Sequence, residues 1–211
     1  METIQLSAAG MGTEFQEISC LHIKEIHHGL LPFLGPKLLG ELYKALVEIK
    51  IIDIWAVKSD SRIIGFLAGT LSTNKRAIYL LIRRKSLLVL CLMIRLLSAS
   101  KSARLIISLI KTSAKNVFSA KGDVSRPKAE LLAIAVDKYF QSLGVGKALI
   151  LCFEESVRKA GMVEYGVMTN IQEVGSNAFY NAMGFKEQCL IPHHDLVLRF
   201  YIKQVDKAKK A

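Results

Sequence analysis

The fold is decided by one stretch, residues 129–151, which reads AELLAIAVDKYFQSLGVGKALIL. Its first part, residues 130–136, is short, apolar and free of Gly and Pro, as in a strand that is buried on both faces. A polar loop follows at residues 137–143, and from Gly144 onward the apolar residues recur at helical spacing. The stretch therefore predicts a strand, a loop, a glycine-rich turn and a helix, in this order.

Two glycines, Gly144 and Gly146, flank the start of the predicted helix, where several backbone N–H groups have no partner inside the helix. These donors and the positive end of the helix dipole favour a phosphate or pyrophosphate group, and glycine lets such a ligand approach the backbone. The stretch is not a Walker loop, because Ala148 follows Lys147 where Ser or Thr is required. It is not a dinucleotide fingerprint either, because Leu149 stands at the third glycine position. The sequence therefore favours a nucleotide-like anion as the ligand of this helix start, bound in a way that differs from a Walker loop and from a dinucleotide fingerprint.

Two motifs resemble those of the GNAT superfamily of N-acetyltransferases. The order Q-x-x-G-x-G after a buried strand, which is QSLGVG at residues 141–146, resembles the acyl-CoA-binding signature of that family. Residues 176–185, SNAFYNAMGF, resemble its helix-then-strand motif S/A-x-x-F/L-Y-x-x-x-G-F. The two motifs occur in the family's order, about 30 residues apart. The chain is thus similar to bacterial-type N-acetyltransferases that act on small molecules or sugars.

This resemblance implies an α/β (α+β) fold, with a central mixed, mostly antiparallel sheet flanked by helices. Residues 51–57 and 63–71 are rich in β-branched and aromatic residues around a polar tetrapeptide, which predicts a hairpin of the second and third strands. Residues 13–23 alternate loosely and predict a first strand, and the apolar spacing after Pro36 predicts a helix.

The C-terminal part of the chain is predicted to contain both helices and strands. The helix that starts at Gly144 is expected to end at Gly161, and a second helix is expected at residues 175–183. Shorter apolar runs predict strands at residues 165–169, 185–190 and 196–202.

A basic segment, residues 72–128, lies between the predicted third and fourth strands of a single domain that spans residues 1–211. The segment holds 13 Lys and Arg and one acid, whereas the rest of the chain holds 16 Lys and Arg and 17 acids. Its apolar run at 87–94 is too short for a membrane span, which needs about 20 residues. Residues 101–117 place basic and apolar side chains on opposite helix faces. The segment therefore predicts a helical insertion.

Three functions of this insertion stay open: a lid over the substrate cleft, an interface in a homodimer, and peripheral contact with an anionic membrane surface. Binding to nucleic acid is disfavoured, because no basic motif interleaved with aromatic residues accompanies the charge. Four scattered cysteines and the lack of a leader pattern predict a cytoplasmic protein, whose only contact with a membrane would be at the inner face.

The resemblance implies that backbone N–H groups of the glycine loop hold the CoA pyrophosphate and that the preceding strand edge holds the pantetheine arm. An asparagine is usual seven residues before the motif tyrosine, but this chain has Glu173, so two nearby asparagines are the expected replacements. The predicted cofactor-binding residues are Ile134, Ala135, Val136, Gln141, Ser142, Leu143, Gly144, Val145, Gly146, Lys147, Asn170 and Asn177.

Two residues are predicted to be catalytic. Tyr180 matches the tyrosine of the family that protonates the departing thiolate, and the alternative is a buried aromatic that closes the helix onto the sheet. Glu130 matches a glutamate that deprotonates the attacking ammonium in histone-type members, and the alternative is an ordinary acid at a strand edge.

The sequence therefore predicts an acyltransferase that moves acetyl from acetyl-CoA to a primary amine by direct attack, the acceptor being an amino sugar or another small amine. A protein or peptide acceptor and a non-catalytic acyl-CoA-binding module remain alternatives. Acetyl-CoA is the acyl donor, and no metal is expected. The pairs His27-His28 and His193-His194 are interpreted as surface or hydrogen-bonded histidines, because no acid or cysteine stands at ligand spacing.

Overall fold

One sheet organises the computed structural model, which describes residues 1–6, 12–29, 31–71, 126–193 and 196–205. Its strands lie in the order β1-β2-β3-β4-β5-β7-β6. Neighbouring strands are antiparallel except β4 and β5, which are parallel, so the mixed and mostly antiparallel sheet is confirmed. The strands are β1 (Glu2–Leu6), β2 (Asp53–Ser59), β3 (Arg62–Thr70), β4 (Ala129–Val136), β5 (Glu164–Asn170), β6 (Lys186–His193) and β7 (Leu196–Gln204).

Helices cover both faces of this sheet. The helices of the described residues are α1 (Gly12–Glu25), α2 (Gly35–Glu48), α3 (Val145–Lys159) and α4 (Val174–Ala182). One core cluster joins Phe15 of α1 and Leu39 of α2 to Phe66 of β3, and a second lies on the α3 side around Leu149 and Phe153. The predicted hairpin, the helix after Pro36, both C-terminal helices and the closing strands are confirmed within two to three residues at their ends.

The first predicted strand was wrong. Residues 13–23 belong to helix α1, and the strand that opens the sheet is β1, which pairs with β2. The buried residues Phe15, Ile18 and Leu21 recur every three positions, which is the spacing of one helix face. The loose alternation in this segment reflected that helical stripe rather than a strand.

Two glycines of β3 let α3 lie close against the sheet. A Cβ atom at Gly65 would lie 2.7 Å from Cγ1 of Val145, and one at Gly69 would lie 2.5 Å from Cε2 of Phe153. Both distances are shorter than the usual contact between carbon atoms, about 3.5–4.0 Å, so a larger residue does not fit. Because Val145 is the first residue of α3, this packing fixes the start of the helix against the middle of the sheet.

The basic segment lies between β3 and β4, as predicted from its position in the chain. Residues 72–125, which include the apolar run 87–94 and the predicted helix at 101–117, lie outside the described residues, so the helical insertion and the single domain stay predictions. None of the helices in the described residues is both long and apolar enough to cross a membrane.

Candidate active site

A cleft opens where β4 and β5 separate. The two strands pair in parallel only at Ala129–Leu131 opposite Tyr165–Val167. The register between β3 and β4 skips Leu132, which is therefore the extra residue of a β-bulge, and a bulge bends its strand. Beyond it β4 stays paired with β3 as far as Val136, and β5 stays paired with β7 as far as Asn170. The edge of β4 that faces β5 is thus unpaired along the second half of the strand.

The start of α3 supplies hydrogen-bond donors beside this edge. The first intrahelical bond runs from the N–H of Ala148 to the C=O of Gly144, at 2.9 Å. The N–H groups of Val145, Gly146 and Lys147 precede it and have no partner within the helix. Gly144 has φ +83°, a left-handed conformation that favours glycine, and it turns the chain into the helix. The arrangement suits an anionic group placed at the helix end.

A cavity of about 430 Å³ joins this helix start to the strand edge, and it is called the cofactor cavity below. Its lining includes six of the residues predicted to bind the cofactor, namely Ile134, Ala135, Val136, Gln141, Ser142 and Gly146. The remaining walls come from α4 and from two glutamates, Glu25 and Glu173. The sequence motif and the unpaired strand edge therefore face one space.

The loop between β4 and α3 is anchored by Asp137. Its backbone N–H donates to the C=O of Ile64, at 2.8 Å, and its carboxylate accepts from Lys24 at 3.1 Å, Arg62 at 3.0 Å and the N–H of Tyr139 at 3.1 Å. Burial raises the pKa of this carboxyl, but the hydrogen bonds and the two cationic side chains outweigh burial and lower the pKa overall. The pattern of residue types gave no sign of this anchor.

A second cavity, of about 320 Å³, lies between β4 and β5 and is called the acceptor cavity below. The end of α1 and the loop after it cover it, and the bulge residue Leu132 lines it. The lining residues that can bond or titrate are His22, Glu25, His27, His28, Thr169, Asn170, Glu173, Ser176 and Tyr180. No Lys or Arg is among its lining residues in the described part of the chain, so the cavity suits a cationic guest.

Tyr180 lines both cavities. Its ring packs against Phe179, Phe185 and Tyr201, with centroid distances of 5.5, 5.2 and 5.9 Å, and only 5% of the residue is exposed. Burial raises the pKa of its phenol, which keeps the hydroxyl protonated at neutral pH. The structure therefore places Tyr180, with a neutral phenol, among the residues that line both spaces.

Residues 106–185 match the family model described as the acetyltransferase (GNAT) family. This match, together with the fold described above, supports membership of the GNAT superfamily. The matched acetyltransferase domain indicates that the protein is an acyltransferase.

Solved structures of acetyltransferases share this fold. Aminoglycoside 6'-acetyltransferase type Ii is 11% identical, with 98% of this chain and 98% of that chain covered and a TM-score of 0.60. The ribosomal-protein-S18-alanine N-acetyltransferase from Escherichia coli is 12% identical, with 99% and 97% covered and a TM-score of 0.56. The NatC complex bound to Gag peptide and CoA is 11% identical, with 98% and 100% covered and a TM-score of 0.56. At these identities the likeness concerns the fold. No curated protein matches the chain significantly.

Four of the cofactor residues expected in this GNAT protein lie at the helix start without lining the cofactor cavity. Gly144 caps the helix, and Val145 is buried in the core. Leu143 and Lys147 are exposed beside the loop.

The two expected asparagines take different positions. Asn177 lines neither cavity: its amide nitrogen donates to three backbone carbonyls, those of Asn170, Ile171 and Glu173, and its carbonyl accepts from Tyr201. Asn170 lines the acceptor cavity, where its Oδ1 accepts from the N–H of Gln172 at 3.0 Å. Its buried Nδ2 has no hydrogen-bond partner among the described residues. The structure thus assigns Asn177 a structural contact and leaves Asn170 on the wall of the acceptor cavity.

Glu130 lies apart from both cavities of this GNAT domain. It lines a space of about 10 Å³ with Arg126 and Phe200, and this space shares only Met168 with the acceptor cavity. Burial raises the pKa of Glu130, and the charge of Arg126 opposes this shift. The two residues predicted to be catalytic, Glu130 and Tyr180, are therefore not brought into one cavity, and the role of Glu130 as a base stays a prediction.

The acceptor cavity contains ionisable residues that sequence reasoning missed or set aside. His28 Nε2 lies 2.6 Å from Glu173 Oε1 and its side chain is 56% exposed, which agrees with the prediction of a surface or hydrogen-bonded histidine. His22 is buried, with its Nδ1 2.7 Å from the hydroxyl of Tyr43, and burial lowers its pKa to about 4. In each of these two contacts the partners are far apart in the sequence, so no local motif could have identified them. His194 and the side chain of His193 lie outside the described residues.

Proposed function

We propose that this GNAT protein transfers the acetyl group of acetyl-CoA to a primary amine by direct attack, without a covalent enzyme intermediate. The observation that carries the proposal is the position of Tyr180, which lines both adjoining cavities. The cofactor cavity would hold the thioester on one side of this phenol, and the acceptor cavity would hold the amine on the other. Holding both reactants in register supplies much of the rate enhancement.

Acetyl-CoA is the proposed donor because its parts match the features of the cofactor cavity. The pyrophosphate would accept hydrogen bonds from the N–H groups of Val145, Gly146 and Lys147. The amide groups of the pantetheine arm would pair with the free edge of β4 at residues 134–136, as an added strand does. The NatC structure, which shares the fold, contains CoA and supports this assignment.

The proposed chemistry needs a base for the amine and an acid for the sulfur. The acceptor arrives as an ammonium group and must lose a proton before its nitrogen attacks the thioester carbon. The C–N bond then forms, the C–S bond breaks, the departing thiolate takes a proton from the hydroxyl of Tyr180, and the phenolate regains a proton from the second N–H that the new amide nitrogen loses. A neutral phenol beside the sulfur stabilises the negative charge that develops there.

The acceptor is proposed to be a compact cationic amine, such as an amino sugar or another small amine. Two carboxylates, Glu25 and Glu173, line its cavity, and no lining residue in the described ranges is a lysine or arginine. Structures with this fold include enzymes named for an aminoglycoside and for the alanine of a ribosomal protein, so a peptide acceptor is the matching alternative.

Calorimetric titration with acetyl-CoA tests the first half of this proposal. Ser142 lines the cofactor cavity and is exposed, so Ser142→Glu adds a negative charge beside the proposed phosphate site. Ser142→Gln is the matched control, because it has the same length without the charge. We expect saturable binding to the wild type, with a Kd about tenfold weaker in Ser142→Glu than in Ser142→Gln, since close like charges repel at this cost. Absence of binding to the wild type would reject the proposal.

A further inference from the structure

A contact between a histidine and a carboxylate lies on the wall of the acceptor cavity. His28, in the loop after α1, lies with its Nε2 2.6 Å from Oε1 of Glu173, which stands immediately before α4. Both residues line the acceptor cavity, and Glu173 also lines the cofactor cavity. Glu173 therefore lines both cavities, as Tyr180 does, and His28 contacts it from the acceptor cavity.

The proposed reaction requires a base in the acceptor cavity. An ammonium group similar to that of lysine has a pKa of about 10.4, so at neutral pH nearly all of the acceptor is protonated. Imidazole is the side chain best suited to take such a proton between about pH 5 and 8. A carboxylate on one ring nitrogen fixes the orientation of the ring and stabilises the imidazolium that forms, as in other base–carboxylate pairs.

The other titratable groups on the cavity are less suited to this task. His22 is held by Tyr43 and is buried, and burial makes its protonated form unstable. Glu25 lies 3.3 Å from the backbone nitrogen of Lys138, from which it accepts a hydrogen bond, and 3.6 Å from the ammonium of Lys24. His27 has no carboxylate contact among the described residues. Tyr180, whose phenol is neutral, is the proposed proton donor.

We propose that His28, oriented by Glu173, is the general base that takes the proton from the acceptor ammonium. The inference rests on the acetyl transfer proposed above. The neutral imidazole accepts one ammonium proton, and the freed lone pair forms the C–N bond while the C–S bond breaks. The thiolate takes the Tyr180 proton, the phenolate regains a proton from the new amide nitrogen, and the imidazolium returns its proton to water. One hydrogen stays on the amide, so atoms and charges balance.

The test compares the pH dependence of three variants with that of the wild type. Thiol release from acetyl-CoA is measured from pH 6 to 10 with glucosamine, kanamycin, spermidine and an alanine-initiated peptide as probes. His28→Gln removes the imidazole, Glu173→Gln removes its carboxylate partner, and Glu130→Gln removes the alternative base. His27→Gln is the matched control, because His27 is a neighbouring histidine on the same cavity that lacks a carboxylate.

We expect kcat/KM for the amine to fall about 100-fold at pH 7 in His28→Gln, in line with the usual contribution of a general base. The loss should shrink towards pH 10, where a much larger fraction of the amine is already deprotonated, and the Kd of acetyl-CoA should stay unchanged. Glu173→Gln should show a smaller loss with the same pH trend. His27→Gln should affect KM alone and keep the wild-type pH profile.

Two results would overturn the inference. One is a His28→Gln profile that matches that of His27→Gln, or a loss that is constant with pH, since a structural role would not respond to the protonation of the amine. The other is the pH-dependent loss appearing in Glu130→Gln instead. If the wild type binds acetyl-CoA but releases no thiol with any of the four amines, the proposed transfer itself fails, which distinguishes that failure from the failure of the base alone.

Discussion

The cofactor cavity and the acceptor cavity share a boundary but are built from different parts of the protein. Half of the residues that line the cofactor cavity come from one continuous segment, residues 134–146, which contains the unpaired edge of β4 and the start of α3 and so carries backbone donors and acceptors. The acceptor cavity combines α1, its following loop, β4, β5 and the start of α4, and it presents ionisable side chains. A ligand that binds to backbone groups tolerates substitution of the side chains around it. Binding in the acceptor cavity would instead depend on individual side chains.

Tyr180→Phe gives the largest expected effect, because this residue belongs to both cavities. The ring and its packing against Phe185 and Tyr201 are retained, and only the proton donor is lost. We expect kcat to fall about 100-fold to 1,000-fold, with the Kd of acetyl-CoA unchanged, as measured by thiol release and calorimetry. An unchanged kcat would leave the two cavities without a shared catalytic group.

Asp137→Asn tests whether loosening the loop between β4 and α3 affects the cofactor cavity without affecting the acceptor cavity. The substitution weakens the contacts with Lys24 and Arg62, and we expect a decrease of about 5 °C in Tm at pH 7, since hydrogen bonds to charged groups are among the stronger ones. Acetyl-CoA affinity should fall more than acceptor affinity, because Asp137 begins the loop that lines the cofactor cavity.

The pH dependence of stability provides a second measurement at this residue. The folded state lowers the pKa of Asp137, so its stabilising contribution is present above the unfolded-state pKa of about 3.9 and is lost as pH falls through the folded value. Between pH 5 and pH 3 the Tm of the wild type should therefore fall more steeply than that of Asp137→Asn. Parallel curves of Tm against pH for the two proteins would mean that the carboxylate of Asp137 does not cause the loss of stability at low pH.

Gly69→Ala gives the smallest expected effect, and it acts on the support of α3. The added methyl would meet the ring of Phe153 at 2.5 Å, and overpacking of this kind costs about 1–3 kcal/mol. Gly175→Ala is the control for stability, because no atom lies within 4 Å of its Cβ position. We expect Tm to fall by several degrees in the first variant alone. Equal Tm values for Gly69→Ala and Gly175→Ala would show that the sheet and α3 accommodate the added methyl group without loss of stability.

The difference between the cavities also explains which predictions succeeded. The strand–loop–helix order of residues 129–151 is local, since each element is set by its own apolar period and by Gly144, and it was predicted correctly. The bulge at Leu132 was not predicted, because it depends on how β4 registers with β3. Helix α1 was missed because its short stripe of Phe15, Ile18 and Leu21 was taken for alternation.

Glu130 and Glu173 illustrate the same limit at the level of single residues. The resemblance pointed to Glu130 through its place in the strand, but the side chain lines a separate space beside Arg126. Glu173 stood out only as a departure from the family pattern, and its contact with His28 depends on the packing of α1 and α4 on the sheet. No pattern among neighbouring residues can indicate a contact between two side chains so far apart in the sequence.

By itself the sequence determined the class of protein and the strand and helix that bracket the glycine loop, and it singled out the tyrosine that lines both cavities. These follow from spacing along the chain, because a helix start and a strand edge are made by neighbouring residues. The tertiary structure alone decided where β4 leaves β5, which asparagine is structural, and which histidine meets a carboxylate. Each of these depends on the register and packing of segments that meet only in the folded chain.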